Sequence, residues 1–275
     1  MVDRISPSSF RDPMGFIFFK QKTCYRQVSP SYKEDYECLM KSGLYKKLTE
    51  AGSLIPHREV EPSFSWTAEA YKVLKPEPIQ FISYPYEWSF SQLKDAALTT
   101  LAIQKTALDH GMSLKDANPY NIQFYKGKPT LIDTLSFEKY QDKKPWSPYQ
   151  QFCQFFIAPL ALMAHVDIKL NQLLRVYIDG IPLNLASTLL PWKTKFSPTL
   201  FMHIHLHAKY QKKHSSNSSN VSTKKALGIK SLLGMVDNLE YCLKKFKWKP
   251  KGTEWVDYYT ENEHASDFLE NKNKV

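Results

Sequence analysis

An ordered set of polar side chains in the middle of the chain constrains the fold more than any other feature. Asp116 stands five residues before Asn121, with Pro119 between them, and Asp133 follows Asn121 by twelve residues. Phosphoryl transfer requires one carboxylate that orients the attacking hydroxyl, and an amide oxygen and a second carboxylate that hold Mg²⁺ against nucleotide phosphates. Because these residue types occur here in that order, the spacing favours a loop in which Asp116 and Asn121 face one pocket. Asp133 would reach that pocket from a neighbouring strand.

The flanking residues indicate a loop held between a helix and a hairpin. Ser91–His110 carries apolar residues at helical spacing, and Gly111 terminates it. Short strands are predicted at Ile122–Tyr125 and Pro129–Ile132, around a turn at 126–128. The alternative is plain turn chemistry, because Asp and Asn often cap helices and stabilise turns without any catalytic role.

The rest of the chain predicts a small mixed lobe followed by a mainly helical lobe. Gly15–Lys20 and Thr23–Val28 form a predicted hairpin, and Ser31–Ala51 a helix that Gly43 divides. Further strands are predicted at Leu54–Val60, Ala70–Leu74 and Ile79–Tyr84, and helices at Tyr149–Ala164, Ile168–Tyr177, Leu183–Leu190, Pro198–Gln211 and Lys224–Lys247. The predicted fold class is therefore two-lobed α+β, with a small mixed N-lobe and a mainly helical C-lobe. The predicted divisions are a lead-in (1–13), an N-lobe (14–84), a C-lobe (85–214), a polar loop (215–222), an accessory helix (223–247) and a tail (248–275).

In this order of elements, and in the loop itself, the sequence resembles the protein-kinase-like superfamily, especially its aminoglycoside-phosphotransferase-like branch. The segment Phe81–Tyr86 fits the strand and hinge that join the two lobes in that superfamily. The resemblance implies a kinase-like fold, with Asp116 as the catalytic aspartate and Asn121 and Asp133 as metal ligands. It also implies Mg²⁺ and ATP as cofactors.

Three features depart from the superfamily's pattern. Leu114-Lys115 replaces the usual histidine or arginine before the first aspartate, and Thr134-Leu135 follows the second aspartate in place of Phe-Gly. The glycine-rich loop is missing, since Gly15 is the only glycine before Gly43. A close backbone cradle for phosphates is therefore not expected.

The strand lysine that holds nucleotide phosphates in this superfamily has two candidate counterparts. Arg26 is well placed by order, with Glu34 or Glu37 on the next helix as its partner, and Lys72 is the alternative. Arginine and lysine are not equivalent at such a site. The cofactor-binding candidates are thus Arg26, Lys72 and Glu37, and a surface or structural role is the competing interpretation for each.

Eight segments spread over nearly the whole chain carry a second resemblance: Tyr25–Val28, Ser42–Tyr45, Phe81–Asp95, Ser113–Phe137, Gln151–Ala164, Ile178–Leu183, His203–His207 and Gly252–Tyr259. They resemble the N-terminal region of a bacterial family usually labelled class I S-adenosylmethionine-dependent methyltransferase. In that family a methyltransferase domain is expected after the last of these segments. The chain ends at Val275 and contains no strand followed by a glycine-rich turn that could hold S-adenosylmethionine. We therefore expect this chain alone not to be a methyltransferase, and S-adenosylmethionine to enter only with a separate methyltransferase domain or subunit, as in a split or truncated enzyme.

Composition narrows the class of protein. The formal net charge of +10 favours acidic partners, or simply lysines on solvated faces. The four cysteines have neither metal-ligand nor disulfide spacing. The first residues do not have the apolar core of a signal peptide, and no apolar run reaches the roughly 18 residues of a membrane span. A reduced, cytoplasmic location is expected. The alternating histidines of His203–His207 would form a metal face only on a strand, and the surrounding pattern is helical.

Three functional hypotheses follow. The first is a kinase-like nucleotide- or phosphate-binding domain of a larger methyltransferase system, with residual phosphotransfer. The second is a catalytically dead pseudokinase module that recruits or regulates a methyltransferase partner. The third and weaker one is a basic nucleic-acid-binding protein that uses its scattered tryptophans and the lysines of Lys224–Lys251.

Overall fold

The computed structural model of the chain describes residues 3–7, 12–209 and 228–249. The predicted polar loop at 215–222 and nearly all of the predicted tail lie outside these ranges, as does Gly252–Tyr259. Within them, no helix is long and apolar enough to cross a membrane.

The N-terminal lobe is built on an antiparallel sheet whose strand order is β1-β2-β3-β5-β4. The strands are β1 (Arg4–Ile5), β2 (Gly15–Lys20), β3 (Thr23–Val28), β4 (His57–Val60) and β5 (Lys72–Pro76). Gln21 and Lys22 join β2 to β3 with φ values of 49° and 68°, the left-handed backbone of a two-residue hairpin turn. The predicted hairpin is confirmed.

Side-chain alternation along the strands gives this sheet two apolar faces. Phe18 is buried in a cluster on one face. Val28 and Leu74 are buried on the other face in a cluster that includes Leu135. Since Leu135 lies two positions after Asp133, the second cluster attaches the sheet to the region where the sequence predicts a metal ligand.

A pair of helices follows β3. α1 (Lys33–Lys41) and α2 (Leu44–Glu50) are separated at Gly43, whose φ is +82°. Left-handed backbone of this kind favours glycine because other residues carry a Cβ that clashes there. The predicted helix divided at Gly43 is confirmed.

The connection between the lobes differs from its prediction. The predicted strand at Ile79–Tyr84 is wrong, because these residues are irregular and lead into a single 3₁₀ turn at Pro85–Glu87. The prolines around this segment lack the N–H that a sheet ladder requires, and the Phe81 side chain is 77% exposed. The two neighbouring predicted strands are present as β4 and β5 with shifted bounds.

The C-terminal lobe opens with the long helix α3 (Phe90–Asp109). Ser89 and Gln92 form a capping box at its start, in which each side chain accepts a hydrogen bond from the other's backbone N–H. Leu93 and Leu101 on one face of α3 are fully buried in the main core. The predicted helix at Ser91–His110 is therefore confirmed as a core element.

Two short strand pairs follow α3. β6 (Met112–Leu114) pairs with β9 (Phe137–Lys139), and between them β7 (Ile122–Tyr125) and β8 (Lys128–Leu131) form a hairpin. Its two-residue turn has φ values of 50° at Lys126 and 77° at Gly127. The predicted hairpin is confirmed.

Helices complete this lobe. They are α4 (Tyr149–Phe152), a π-helical stretch (Cys153–Ile157), α5 (Ala158–His165), α6 (Leu173–Val176), α7 (Leu183–Leu189), α8 (Pro198–Leu200), a second π-helical stretch (Phe201–Leu206) and α9 (Ile229–Lys245). α9 packs against α3, where Lys105 contacts Asp237 at 2.5 Å and also contacts Glu240. The predicted helix at Ile168–Tyr177 is shorter than expected, because its first half is a 3₁₀ helix (Ile168–Gln172).

The fold is thus a small sheet-based lobe with a helix pair between β3 and β4, followed by a helical lobe that carries the β6–β9 and β7–β8 pairs. This is the kinase-like order of elements, and the predicted two-lobed α+β fold class is confirmed.

Candidate functional site

The loop from Asp116 to Asn121 is shaped by its own side chains. Asp116 Oδ1 accepts a hydrogen bond from the Asn118 amide at 3.0 Å, and Asn118 Oδ1 accepts one from the Tyr120 amide at 3.0 Å. Pro119 begins a 3₁₀ turn that ends at Asn121, whose Nδ2 donates to Asp116 Oδ2 at 2.9 Å. The five-residue spacing therefore closes a loop in which Asp116 and Asn121 touch.

The β7–β8 hairpin returns the chain to this loop. The Ile132 amide donates to the Asn121 carbonyl at 2.8 Å, which places Asp133 beside the loop. Asp133 caps the next turn, where Oδ1 accepts from the Leu135 amide at 3.0 Å and Oδ2 accepts from Ser136 Oγ at 2.8 Å. These contacts hold the Asp133 carboxylate in one orientation.

Arg26 reaches the same place from β3. Its Nη2 lies 3.0 Å from Asp133 Oδ1 and 2.6 Å from Asp12 Oδ2. The Arg26 side chain is only 14% exposed, and its buried Nε has no hydrogen-bond partner among the described residues. The structure therefore brings together four of the predicted site residues: Arg26, Asp116, Asn121 and Asp133.

The predicted glutamate partner of Arg26 is wrong. Glu37 contacts Lys41 at 2.7 Å and Glu34 contacts Lys139 at 2.9 Å. Arg26 pairs instead with two aspartates, because the preceding segment and the end of the hairpin lie closer to it than α1 does. Glu37 is thus not brought to the Asp116–Asp133 set.

Lys72, the alternative cation, also lies apart from that set. Its Nζ contacts Glu59 Oε2 at 2.5 Å, and its side chain is 37% exposed. Glu59 belongs to β4, the edge strand of the sheet. Of the two candidate cations, the structure places Arg26 beside Asp133.

The electrostatics of Asp116 differ from those of an ordinary aspartate. Burial raises its pKa, a hydrogen bond with the Gln151 side chain lowers it, and the nearby Asp133 charge raises it. Gln151 also accepts the Ala117 amide hydrogen at 2.7 Å. A deprotonated carboxylate with a raised pKa is a stronger proton acceptor than a solvated one.

Two residues of the site were missed in the sequence. The only sequence signal at Asp12 is the proline that follows it, which indicates a turn. The position of Gln151 in the sequence does not relate it to the loop that it supports. Both act through contacts between segments far apart along the chain, and pattern reasoning does not detect such contacts.

The donor set can be compared with what Mg²⁺ requires. Mg²⁺ prefers oxygen ligands and is often held by one or two carboxylates together with waters and substrate phosphates. Because Asn121 Nδ2 is bound to Asp116, its amide oxygen is the atom suited to a cation, beside the Asp133 carboxylate. In the described ranges, no three His, Cys, Asp or Glu side chains are grouped to hold a metal alone. The residues therefore fit Mg²⁺ only in company with a phosphate.

The fit to nucleotide phosphates is partial. The guanidinium of Arg26 offers charged donors of the kind that phosphate oxygens accept, and its Nε has no protein partner within the described ranges. The Asp12 carboxylate, however, already occupies Nη2 at 2.6 Å. A phosphate that binds Nη2 has to take the place of that carboxylate.

The histidines at 203–207 serve packing between helices. His203 bonds the Tyr149 hydroxyl and Asn238 Oδ1, each at 2.8 Å, and His205 bonds Thr194 Oγ1 at 2.9 Å. Burial lowers the pKa of His203 to about 4. Both ring nitrogens of His203 are thus committed to protein groups.

Comparison with known proteins places these observations in context. No protein-family model matches the chain. The chain is 36% identical over 212 residues to nodulation protein NoeA of Rhizobium meliloti (strain 1021), a match that covers 76% of this chain and 44% of that protein. The chain therefore spans less than half the length of this curated relative.

Two solved structures are similar in outline. The kinase domain of Mycobacterium tuberculosis PknI (C20A_R136N double mutant) matches at 12% identity and a TM-score of 0.35, over 83% of this chain and 91% of that one. Vaccinia related kinase 3 matches at 13% identity and a TM-score of 0.36, over 98% and 88% respectively.

Proposed function

We propose that this chain is a kinase-like domain that binds a nucleotide, or another phosphorylated ligand, together with Mg²⁺ in the cleft between its lobes. One observation carries the proposal: the side chains of Asp116, Asn121, Asp133 and Arg26 come together from a loop, the end of a hairpin and a strand. The defining contacts are Asn121 Nδ2 to Asp116 Oδ2 at 2.9 Å and Arg26 Nη2 to Asp133 Oδ1 at 3.0 Å. Phosphoryl transfer depends on positioning and charge stabilisation by side chains of these types.

Each side chain has a defined task in this proposal. Asp116 accepts the proton of an attacking hydroxyl, and Gln151 keeps its carboxylate oriented. Asn121 and Asp133 hold Mg²⁺, which when bound neutralises phosphate charge. Arg26 binds a phosphate oxygen and replaces the lysine that kinases use.

A second candidate function is a pseudokinase module that recruits or regulates a methyltransferase partner. The observation that favours it is the ion pairing of Arg26, which two carboxylates already contact. The missing glycine-rich loop supports it as well. The methyltransferase context comes from the sequence resemblance, and the activity belongs to a domain or subunit outside this chain.

We place the protein in the cytoplasm, where ATP and Mg²⁺ are abundant. The support is the four cysteines, which are all unpaired in the described ranges. Recovery of the tagged protein in the periplasmic fraction of the cells that express it would contradict this assignment.

Calorimetric titration with ATP and Mg²⁺ tests the binding function. The wild type should bind in a manner that requires Mg²⁺, and Asp133→Asn should lose at least tenfold in affinity, about 1.4 kcal/mol. Asn keeps the shape and the cap to Leu135 but carries no charge for a cation or for Arg26. Asp179→Asn, at an exposed carboxylate of the same lobe, is the matched control and should bind as the wild type does.

The outcome separates the two candidates. Absence of binding at millimolar ATP in a folded wild type would contradict the nucleotide site and favour the pseudokinase function. That function in turn requires tight binding to a separately encoded methyltransferase that Asp133→Asn leaves intact. Loss of partner binding in that variant would count against it.

A further inference from the structure

Asp12 occupies a special position in the fold. It lies in the connection between β1 and β2, three residues before the first residue of β2. One of its oxygens, Oδ1, accepts a hydrogen bond from the Met14 amide at 2.9 Å, and the other, Oδ2, contacts Arg26 Nη2 at 2.6 Å. Through these two contacts Asp12 links the start of β2 to the Arg26 guanidinium on β3.

The Asp12 side chain is held in place by its surroundings. The Met14 carbonyl accepts a hydrogen bond from the Ser29 amide at 2.8 Å, which fastens the segment to the end of β3. Gly15 follows at so close an approach that a Cβ there would lie 2.2 Å from the Gln27 carbonyl oxygen. The backbone next to Asp12 is thus held against β3, and the Met14 amide fixes one oxygen of its carboxylate.

The contact leaves the capacity of Arg26 unfilled. Asp12 and Asp133 share the single nitrogen Nη2, although a guanidinium and a carboxylate pair best through two parallel hydrogen bonds. The buried Nε has no partner in the described ranges. A phosphate has more oxygens and more charge than a carboxylate, so it gains more from this guanidinium than Asp12 does.

We propose that Asp12 is a built-in competitor for the phosphate-binding side chain of the cleft. Its carboxylate stands in for an anion on Arg26, and an incoming phosphate displaces it. The ligand class is a nucleoside polyphosphate or pyrophosphate, since both carry the charge needed to replace the carboxylate. This inference rests on the proposed phosphate-binding function and adds that the free protein holds its own site in a closed ion pair.

The test compares Asp12→Asn with the wild type. Asn keeps the size of the side chain and an oxygen for the Met14 amide, but it has no charge to hold Arg26. Calorimetric titrations with ATP and Mg²⁺, and separately with inorganic pyrophosphate, should show about tenfold tighter binding in Asp12→Asn, equivalent to about 1.4 kcal/mol. The gain should disappear in the double variant Asp12→Asn/Arg26→Met.

Asp3→Asn is the matched control. Asp3 accepts a hydrogen bond from the Gln21 amide at 3.0 Å at the other end of the β2 strand, so the change removes the same charge from the same lobe outside the cleft. Its affinity for both probes should stay within twofold of the wild type. Thermal unfolding of each variant confirms that the proteins compared are folded.

Each result has one meaning. Equal affinities in the wild type and Asp12→Asn overturn the inference and leave the proposed function standing, and so does an equal gain in Asp3→Asn. Weaker binding in Asp12→Asn also overturns it, because Asp12 would then belong to the ligand site. If neither probe binds any folded variant at millimolar concentration, the proposed function and the inference both fail.

Discussion

Replacement of Gly15 by alanine tests how closely the N-lobe sheet is coupled to the site. A Cβ at this position would lie 2.2 Å from the Gln27 carbonyl oxygen and 2.9 Å from Leu135 Cδ1, whereas ordinary contact begins at 3.4 Å. The backbone of β2 or β3 must therefore move by about 1 Å. Overpacking of this kind costs about 1–3 kcal/mol, and a weakened ladder hydrogen bond adds about 1 kcal/mol.

Alanine also restricts the unfolded chain, which returns about 0.4–1 kcal/mol of stability. The net expectation for Gly15→Ala is a loss of about 2 kcal/mol in the free energy of unfolding, measured by urea denaturation. Because the new methyl group presses on Leu135, two positions after Asp133, affinity for ATP and Mg²⁺ should fall in the fraction that remains folded. Calorimetry at 10 °C would measure that fall.

Gly234→Ala is the matched control with the opposite expected sign. Gly234 lies inside α9, and a Cβ there meets nothing within 4 Å. Alanine in a helix interior should stabilise the protein by about 0.5–1 kcal/mol. Equal stability of the two variants would refute the argument from close approach, and a normal ligand affinity in Gly15→Ala would refute the coupling to Asp133.

Three further changes have defined outcomes. Burial lowers the pKa of His203 to about 4, so the neutral ring stabilises the fold fully above the unfolded pKa of about 6.5, and this contribution is lost as the pH falls towards 4. His203→Gln should therefore reduce the loss of stability between pH 7.5 and 4.5 by about 2 kcal/mol, measured by urea denaturation at both pH values. Gln151→Leu leaves the Ala117 amide without its acceptor and should cost about 1–3 kcal/mol, with Asp116 titrating at a higher pH by NMR because a hydrogen bond that lowers its pKa is gone. Lys105→Met removes partly exposed ion pairs between α3 and α9 and should cost no more than about 1 kcal/mol, a difference that 1 M salt abolishes.

Local patterns predicted much of this fold. The β2–β3 and β7–β8 hairpins have two-residue turns between alternating strands, and α3 has apolar residues at helical spacing along one face. Each of these signals lies within a few residues of the element it specifies. The strand expected at Ile79–Tyr84 does not form, because the prolines around it lack the N–H that a sheet ladder requires.

The candidate site divides in the same way. The Asp116–Asn121 contact is local, so the spacing of two residues in a five-residue loop was enough to predict it. The partners of Arg26 come from before β2 and after β8, and no sequence spacing relates them. Glu37 was predicted as a partner of Arg26 because it follows β3 on the next helix. Its carboxylate instead accepts a hydrogen bond from the Tyr71 hydroxyl at 2.9 Å.

The two carboxylates on Arg26 have different structural consequences, although they share one nitrogen. The Asp12 pair lies within the N-lobe, whereas the Asp133 pair joins β3 of the N-lobe to the hairpin of the C-lobe. A ligand that displaces Asp12 therefore leaves the Arg26–Asp133 ion pair between the lobes intact. Loss of the Asp133 charge removes both a metal ligand and that connection, so a weakened affinity in Asp133→Asn alone does not separate the two effects. Asp12→Asn leaves the metal ligand and the connection between the lobes unchanged, because it alters only the carboxylate that competes for Arg26. Its effect on affinity therefore reports directly on that competition.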